Sequence, residues 1–327
     1  MKNIPSLTPE ILCIGQVLMD CIIKGWDAAA LHERVQTANS VTLSPGGDAF
    51  NESVILSRLG HKVKTICVLG HDHAGDLLTK LLADNQIDTC SIIKSENART
   101  PVAPLLVSGD GSRKSINAVL NLEDFLDVPS SLFEGVRLVS LASLFRTPLR
   151  DNDMIIKICR EAKAAGAILS VDTKLPLQNP AALSDIREAL SCIDYIFPNE
   201  TEAAFYTNKA EYTDMADVFL EYGVKNVIIK TGEKGCFAKN KQETIELPAF
   251  NIQAVDSTGA GDNFAAGFLS SILHGKTFRE SLLFASACAA ICVQSVGATS
   301  GIKSRKQVEE FQKTAHSLFS FYSSDTE

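Results

Sequence analysis

The stretch Asp256-Ser257-Thr258-Gly259-Ala260-Gly261-Asp262-Asn263-Phe264-Ala265-Ala266-Gly267 carries the residues best suited to chemistry. Two glycines and small residues lie between two aspartates. A helical pattern of Phe264, Phe268, Leu269, Ile272 and Leu273 follows at once. Ile252–Val255 reads as a short strand before it. A strand, a glycine-rich turn and a helix start make an anion site. The first-turn N–H groups have no intrahelical acceptor, and the helix dipole favours negative charge there. Glycines let a phosphate approach the backbone closely. Asp262 falls beside that cradle, where a carboxylate takes the proton of a hydroxyl attacking phosphorus. The same residues also read as a tight turn capped by Asp262. The stretch alone leaves both readings open.

Other stretches carry weaker signals. Asn199-Glu200-Thr201-Glu202 begins a helix, and Asn with Glu at that spacing suits either magnesium-bound water or a favourable acidic helix start. Thr231-Gly232-Glu233-Lys234-Gly235 follows a strong strand and suits a nucleotide-bordering loop or a plain hairpin turn. Asp172-Thr173-Lys174 lies at a strand end, with Lys174 either neutralising a donor phosphate or solvated. Gly70-His71-Asp72-His73-Ala74-Gly75 has glycine spacing but continues Asp76-Leu77, so no phosphate-binding P-loop is present. His71 and His73 read as a polar turn. No G-x-G-x-x-G follows the first strand, which argues against a dinucleotide site.

The elements that must position these residues alternate. Ile11–Ile14 reads as a buried strand, with Asp20 soon after and Cys21–Ile23 as another strand; residues 24–43 carry no clear pattern. Ser44-Pro45-Gly46-Gly47-Asp48 signals a turn opening a helix with Phe50, Val54, Ile55 and Leu59, closed by Gly60. Between Cys90 and Leu122, Ser91–Lys94, Val102–Val107 and Ser115–Val119 read as successive strands, with a turn at Gly109-Asp110-Gly111. No long helix interrupts them, so a small antiparallel sheet is expected, standing off the main sheet as a lid. Strand–helix alternation then resumes to the C-terminal part of the chain, predicting a doubly wound, mostly parallel sheet. Ligands in such sheets lie beyond the carboxyl ends of the strands. Asp20, Gly46-Gly47, Asp172, Asn199 and the 256–262 turn are expected to share that edge.

The 327 residues allow one large α/β domain or two smaller ones. Net charge is −8, which argues against a general binder of nucleic acid or anionic membranes. The nine cysteines form no C-x-x-C pair and mostly lie in apolar runs, so buried free thiols are expected rather than disulfides or a zinc site. The start of the chain lacks a signal-like apolar run, and Leu282–Val293 is too short to span a bilayer. A cytoplasmic protein is expected.

Taken together, the chain resembles the PfkB/ribokinase family of carbohydrate kinases from about Ile11 to Gly301. Pro45-Gly46-Gly47-Asp48-Ala49-Phe50-Asn51, continuing to Arg58-Leu59-Gly60, is similar to one family signature, and Asp256–Phe264 to the other. Asn199 and Glu202, then the 232–235 glycine turn, fall in the family's order between them. The resemblance implies a ribokinase-like three-layer α/β/α fold in one domain over 1–327. Its mostly parallel sheet carries a small β lid from about 18–43 and 91–120.

The resemblance also implies ATP-dependent phosphorylation of a sugar-like alcohol. Asp262 matches the general base, and Gly259, Ala260 and Gly261 the anion hole. Asp20, Gly46, Gly47 and Asn51 match groups holding sugar hydroxyls. Asn199 and Glu202 match the element that holds Mg²⁺ with the phosphates, Glu202 through water. Lys230, Thr231, Gly232 and Gly235 would border the nucleotide. Asp256 and Thr258 match ligands of a monovalent cation such as K⁺, although Gly301 stands where some relatives place a further ligand. Asp20 and Asn51 favour a neutral polyol. A phosphorylated acceptor would need added cations, for which Arg113 and Lys114 are the lid candidates. A nucleoside acceptor, a non-catalytic sensor on the same fold and a homodimer joined through the lid are the other readings the sequence leaves.

Overall fold

The structure, a computed structural model, describes residues 9–27, 34–109, 113–116, 128–177 and 182–322. Its main sheet is built from β1 (Ile11–Ile14), β4 (Val63–Ile66), β9 (Leu138–Leu144), β10 (Ile168–Thr173), β11 (Tyr195–Ile196), β12 (Asn226–Lys230), β13 (Cys236–Asn240) and β14 (Thr244–Leu247). The spatial order is β14-β13-β12-β11-β10-β9-β1-β4, parallel from β12 to β4 and antiparallel at β13 and β14. β1 and β9 are buried along their whole length, as interior parallel strands covered on both faces must be.

Strand side chains alternate between two cores. Ile11, Cys13, Leu138, Ala142 and Ile228 face one, with helices α1 (Asp48–Arg58), α2 (His73–Asp84), α7 (Ala260–Leu273) and α8 (Phe278–Val293). Leu12, Ile14, Val139, Leu141, Leu169 and Ile229 face the other, with α3 (Asn152–Ala164), α4 (Arg187–Cys192) and α6 (Tyr212–Glu221). This is the expected three-layer α/β/α arrangement. Between β11 and α6 lies α5 (Glu200–Thr207), and α9 (Arg305–Tyr322) ends the described chain.

The packing of α7 fixes the chemistry-bearing turn. Gly267 has no room for a side chain, since a Cβ there would stand 2.7 Å from Cys288 Sγ of α8. Phe268 is fully buried and meets Tyr195, Phe197 and Phe278 edge-on. A buried ring of this kind contributes about 1.5–3 kcal/mol and ties α7 to the carboxyl end of β11.

A second sheet has the order β3-β2-β7-β8, from β3 (Ser40–Gly46), β2 (Leu18–Lys24), β7 (Val102–Val107) and β8 (Arg113–Ser115). It differs from the sequence expectation in three respects. β2 and β7 run parallel, so the sheet is mixed. β3 continues through the expected turn to Gly46, because full pairing with β2 outweighs the turn-forming Ser, Pro and Gly. The segment expected as Ser91–Lys94 forms β6 (Ile93–Ser95) and pairs with β5 (Val68–Gly70), away from the small sheet. Asp110 and Gly111 of the expected turn, and positions 117–119 of the expected strand, lie outside the described residues.

Residues 252–255 are not a strand, contrary to expectation. The amides of Val255 and Asp256 instead donate to the Val293 carbonyl at the end of α8 (2.7 and 3.1 Å). No helix among the described residues is long and apolar enough to cross a membrane. All nine cysteines are free thiols, and Cys13, Cys67, Cys159, Cys236, Cys288 and Cys292 are buried.

Candidate active site

The turn before α7 is held by its own side chains. Gly259 caps the helix in a left-handed conformation (φ 76°), and a Cβ there would stand 2.4 Å from Ala298 Cβ. Asn263 Nδ2 donates to the carbonyls of Gly259 and Ala298, both at 2.7 Å, and locks this turn. Asp256 works from the other side: Oδ1 accepts from Thr258 N (3.0 Å) and Oγ1 (2.7 Å), and Oδ2 from Gly297 N (2.9 Å). The Ala260 amide closes a turn onto the Ser257 carbonyl (3.3 Å). Gly261 and Asp262 follow in the first turn of α7, where amides have no intrahelical acceptor.

Asp262 does not cap its helix. Its carboxyl, 5% exposed, accepts from Asn51 Nδ2 of α1 at 2.6 Å. The two signature stretches therefore meet at one hydrogen bond. Burial, then the negative charge of Asp48, pushes the Asp262 pKa up to about 7, against opposing effects of Lys174 and the Asn51 bond.

Asn51 reaches this place because α1 starts abruptly. Gly47 (φ 90°) lies so close to the Gln16 carbonyl that a Cβ would be 2.4 Å from its oxygen. Gly46 serves the small sheet: a Cβ there would stand 2.3 Å from Asp20 Oδ2. Asp20 thus lies against bare backbone. Burial, with the charge of Asp48, raises its pKa to about 6.

The carboxyl ends of β10, β11 and β12 supply the remaining groups. Asn199 and Glu202 form a reciprocal capping box on α5: Glu202 N donates to Asn199 Oδ1 (2.9 Å) and Asn199 N to Glu202 Oε2 (3.0 Å). Thr173 Oγ1 adds a third bond to Glu202 Oε2 at 3.1 Å. The helix-start reading of this pair is thereby realised, on the same edge as Asp262. Burial, then the charge of Asp172, raises the Glu202 pKa. Thr231 is buried, and its amide donates to the Gly235 carbonyl (2.9 Å). Gly235 is packed against the backbone of Leu247 and Ala249, whereas a Cβ on Gly232 would enter open space. Of these two glycines, Gly232 is the one that faces open space.

The structure gives Lys230 and Lys174, both named from sequence, acidic partners, and adds Glu52 and Arg146, which were not assigned. Lys230 Nζ donates to Asp172 Oδ2 (2.6 Å), and Lys174 Nζ pairs with Asp48 Oδ2 (3.3 Å), to which Ser143 Oγ also donates (3.0 Å). Burial opposes the charge on Lys174, but Asp48, Asp172, Asp262 and Glu202 hold its pKa well above the usual lysine value. Glu52, fully buried one residue after Asn51, accepts from Ser140 Oγ at 2.6 Å, and burial with the charge of Asp172 raises its pKa well above the carboxylate range. Arg146 has a buried Nε without a partner. A charged residue inside the apolar run of α1 was the available signal for Glu52; nothing in the sequence marks Arg146.

Oxygen donors such as Asn199 and Glu202 suit a hard cation that arrives with its water shell. Among the described residues no cluster of three or more His, Cys, Asp or Glu side chains forms an all-protein metal site. The arrangement fits magnesium carried mainly by a nucleotide's phosphates.

Comparison with known proteins agrees with this geometry. Residues 8–305 match the family described as pfkB family carbohydrate kinase. The chain is 32% identical over 287 residues to a ribokinase of Haemophilus influenzae, covering 85% of this chain and 90% of that one. It is 31% identical over 346 residues to probable fructokinase-7 of Arabidopsis thaliana, covering 97% of each. Among solved structures it is similar to the ribokinase of Thermotoga maritima, with a TM-score of 0.79 and 27% identity over 93% of this chain and 99% of that one. The chain belongs to the pfkB family and is an ATP-dependent carbohydrate kinase.

Proposed function

We propose that this kinase transfers the γ-phosphoryl group of ATP to a hydroxyl of a neutral sugar, with Asp262 as general base. The observation that carries this is the buried Asp262–Asn51 bond, which unites a carboxyl beside a helix N-terminus with the acceptor side of the fold. Asp20 and Asn51 orient the acceptor's hydroxyls. Asp262 takes the proton as the acceptor oxygen bonds to the γ-phosphorus. The bond from that phosphorus to the β–γ bridging oxygen breaks, and ADP leaves. Amides of the 259–261 turn stabilise charge on the transferring oxygens. Magnesium supplies charge neutralisation at the phosphates, and Asn199 and Glu202 would hold its water shell. A base with a pKa near 7 is suited to work near neutral pH.

An ADP-release assay across D-fructose, D-ribose, other hexoses and nucleosides tests the reading. Turnover with one or more sugars supports it; nucleoside-only turnover would replace the acceptor, and none at all would favour a sensor. Running the assay in potassium against tetramethylammonium chloride tests the cation reading of Asp256 and Thr258. The small sheet further suggests a homodimer. Val41 (63% exposed) and Leu43 (65%) lie on edge strand β3, where a second copy would cover them. Sedimentation showing only monomer at micromolar concentration would dispose of that dimer.

A further inference from the structure

Arg146 follows β9 at the carboxyl edge of the main sheet. Three residues before it, Ser143 Oγ donates to Asp48 Oδ2 (3.0 Å) and accepts from the Gln16 amide (3.2 Å). A tight turn fixes the backbone between them. Phe145 is left-handed (φ 67°), an uncommon conformation for a bulky residue, and the Arg146 amide donates to the Ser143 carbonyl (3.0 Å). The buried Phe145 ring packs against Tyr206, with centroids 5.1 Å apart. Arg146 is thereby placed beside the turn where Gln16 and Gly47 meet, next to Asp48. Its guanidinium is half-buried, its enclosed Nε has no hydrogen-bond partner, and among the described residues it forms no ion pair. We propose that Arg146 is a specificity-determining residue of the acceptor site: its guanidinium donates hydrogen bonds to a hydroxyl of the bound sugar other than the one Asp262 activates. This rests on the neutral-sugar reading above.

A cation taken out of water is costly to leave without partners. The polar groups around Arg146 are engaged elsewhere. Asp48 Oδ2 holds Lys174 Nζ and Ser143 Oγ, Tyr206 Oη donates to the Lys174 carbonyl, and Glu202 Oε2 accepts from Thr173 and Asn199. A purely structural arginine would bond to these groups or to nearby carbonyls. What Arg146 lacks is acceptor oxygens rather than countercharge. Burial works against its positive form, but Asp48 and Glu202 both favour it. Two carboxylates, Asp48 and Glu202, thus share this space with two cations, Lys174 and Arg146, which leaves no surplus positive charge to attract a carboxylate or phosphate substituent. Asp48 is the charge that Arg146 feels most, and it also acts on Asp20, so the guanidinium lies on the acceptor side. A sugar hydroxyl both donates and accepts, whereas a guanidinium only donates and a carboxylate only accepts. A polyol can therefore span Arg146 and Asp20, with lone pairs toward one and hydrogens toward the other.

Steady-state kinetics on wild type, Arg146→Met, Arg146→Gln and Arg146→Lys test this, alongside titration calorimetry with Mg·AMP-PNP. The acceptors are D-fructose, D-ribose, those of their monodeoxy analogues that keep the reacting hydroxyl, and D-gluconate. Arg146→Met should raise the KM for the best neutral sugar about tenfold, the scale of a charge-assisted hydrogen bond, and leave kcat and Mg·AMP-PNP affinity within about threefold. Arg146→Lys should recover part of the loss. The contacted hydroxyl identifies itself: its deoxy analogue should lower kcat/KM about tenfold in wild type and less than about threefold in Arg146→Met, a coupling that a structural role does not produce. Arg146→Gln, which keeps a donor without the charge, serves the same cycle if Arg146→Met does not fold. Additive losses for every deoxy analogue, a fall in kcat alone, or weaker Mg·AMP-PNP binding would overturn the proposal. So would a preference for D-gluconate that vanishes in Arg146→Met, since the arginine would then read an anion. Wild type that turns over none of the sugars would instead overturn the neutral-sugar reading beneath it.

Discussion

Asp262 and Asp20 are assigned to the two sides of one reaction, and their surroundings differ. Asp262 is buried on the first turn of α7 and bonded to Asn51. Around it, Lys230 is held by Asp172, Glu202 by Thr173 and Asn199, and Lys174 by Asp48. Each of these side chains on the carboxyl edge of the main sheet is thus fixed by another element. Asp20 lies half-buried on β2 of the small sheet, against the bare backbone of Gly46. On the opposite face of that sheet, by strand register, Val41, Leu43 and Val102 remain exposed. In the proposed reading, the transfer groups are held in place before ligands arrive, while Asp20 on the acceptor side lies only half-buried. Changes in the first region should therefore act on rate, and changes in the second on acceptor affinity.

The largest effect should come from removing the base. Asp262→Asn keeps the shape and still meets Asn51, but it cannot accept the acceptor's proton. We expect kcat to fall by about 10² or more, while nucleotide binding followed by thermal shift is retained. Near-normal turnover would remove Asp262 from the base role and dissolve the rate side of the comparison. On the opposite side, Asp20→Asn should raise the KM for the sugar about tenfold and change kcat by less than about threefold, the scale of a hydrogen bond to a charged group. A loss confined to kcat would show that the small sheet shares in the chemistry.

The two regions also differ in how far the sequence revealed them. Interior strands such as Leu138–Leu144 are buried throughout and mostly apolar, and the amphipathic pattern of 152–164 continues directly from a capping aspartate, Asp151. Such segments are set by local patterning. The small sheet is not: Ser40–Gly46 contains a proline and a glycine and becomes a strand only through pairing with β2. Ile93–Ser95 has the composition of a lid strand, yet its partner β5 decides its place. Ile252-Gln253-Ala254-Val255 is mostly apolar, but the amides of Val255 and Asp256 find their acceptor at the end of α8. In the site, Asp262 was legible because its turn has a distinctive spacing. The Lys230–Asp172 pair was not, since its members lie 58 residues apart and meet only across β11.

A smaller effect sharpens the comparison further, because both aspartates feel Asp48. The pH profile of kcat/KM reports ionisations of the free enzyme. A base must be deprotonated to act, so activity should fall below about pH 7 as Asp262 takes up its proton. Asp48 is the largest charge raising that pKa, so Asp48→Asn should move the acidic limb to lower pH. The change also releases Lys174, whose positive charge already lowers it, and the two effects share a sign. Lys174→Met removes a lowering charge and should move the limb upward. Shifts of about half to one unit are expected, since one unit corresponds to about 1.4 kcal/mol, the scale of one nearby partly screened charge. Asp20, raised to about 6 by burial and then Asp48, should leave its mark on the KM for the sugar rather than on kcat. Should Asp48→Asn leave the limb in place, the group that limits the rate at low pH is not a carboxyl beside Asp48. The base would then have to be sought outside the α1–α7 contact, and the fixed side of the site would lose its claim to the chemistry.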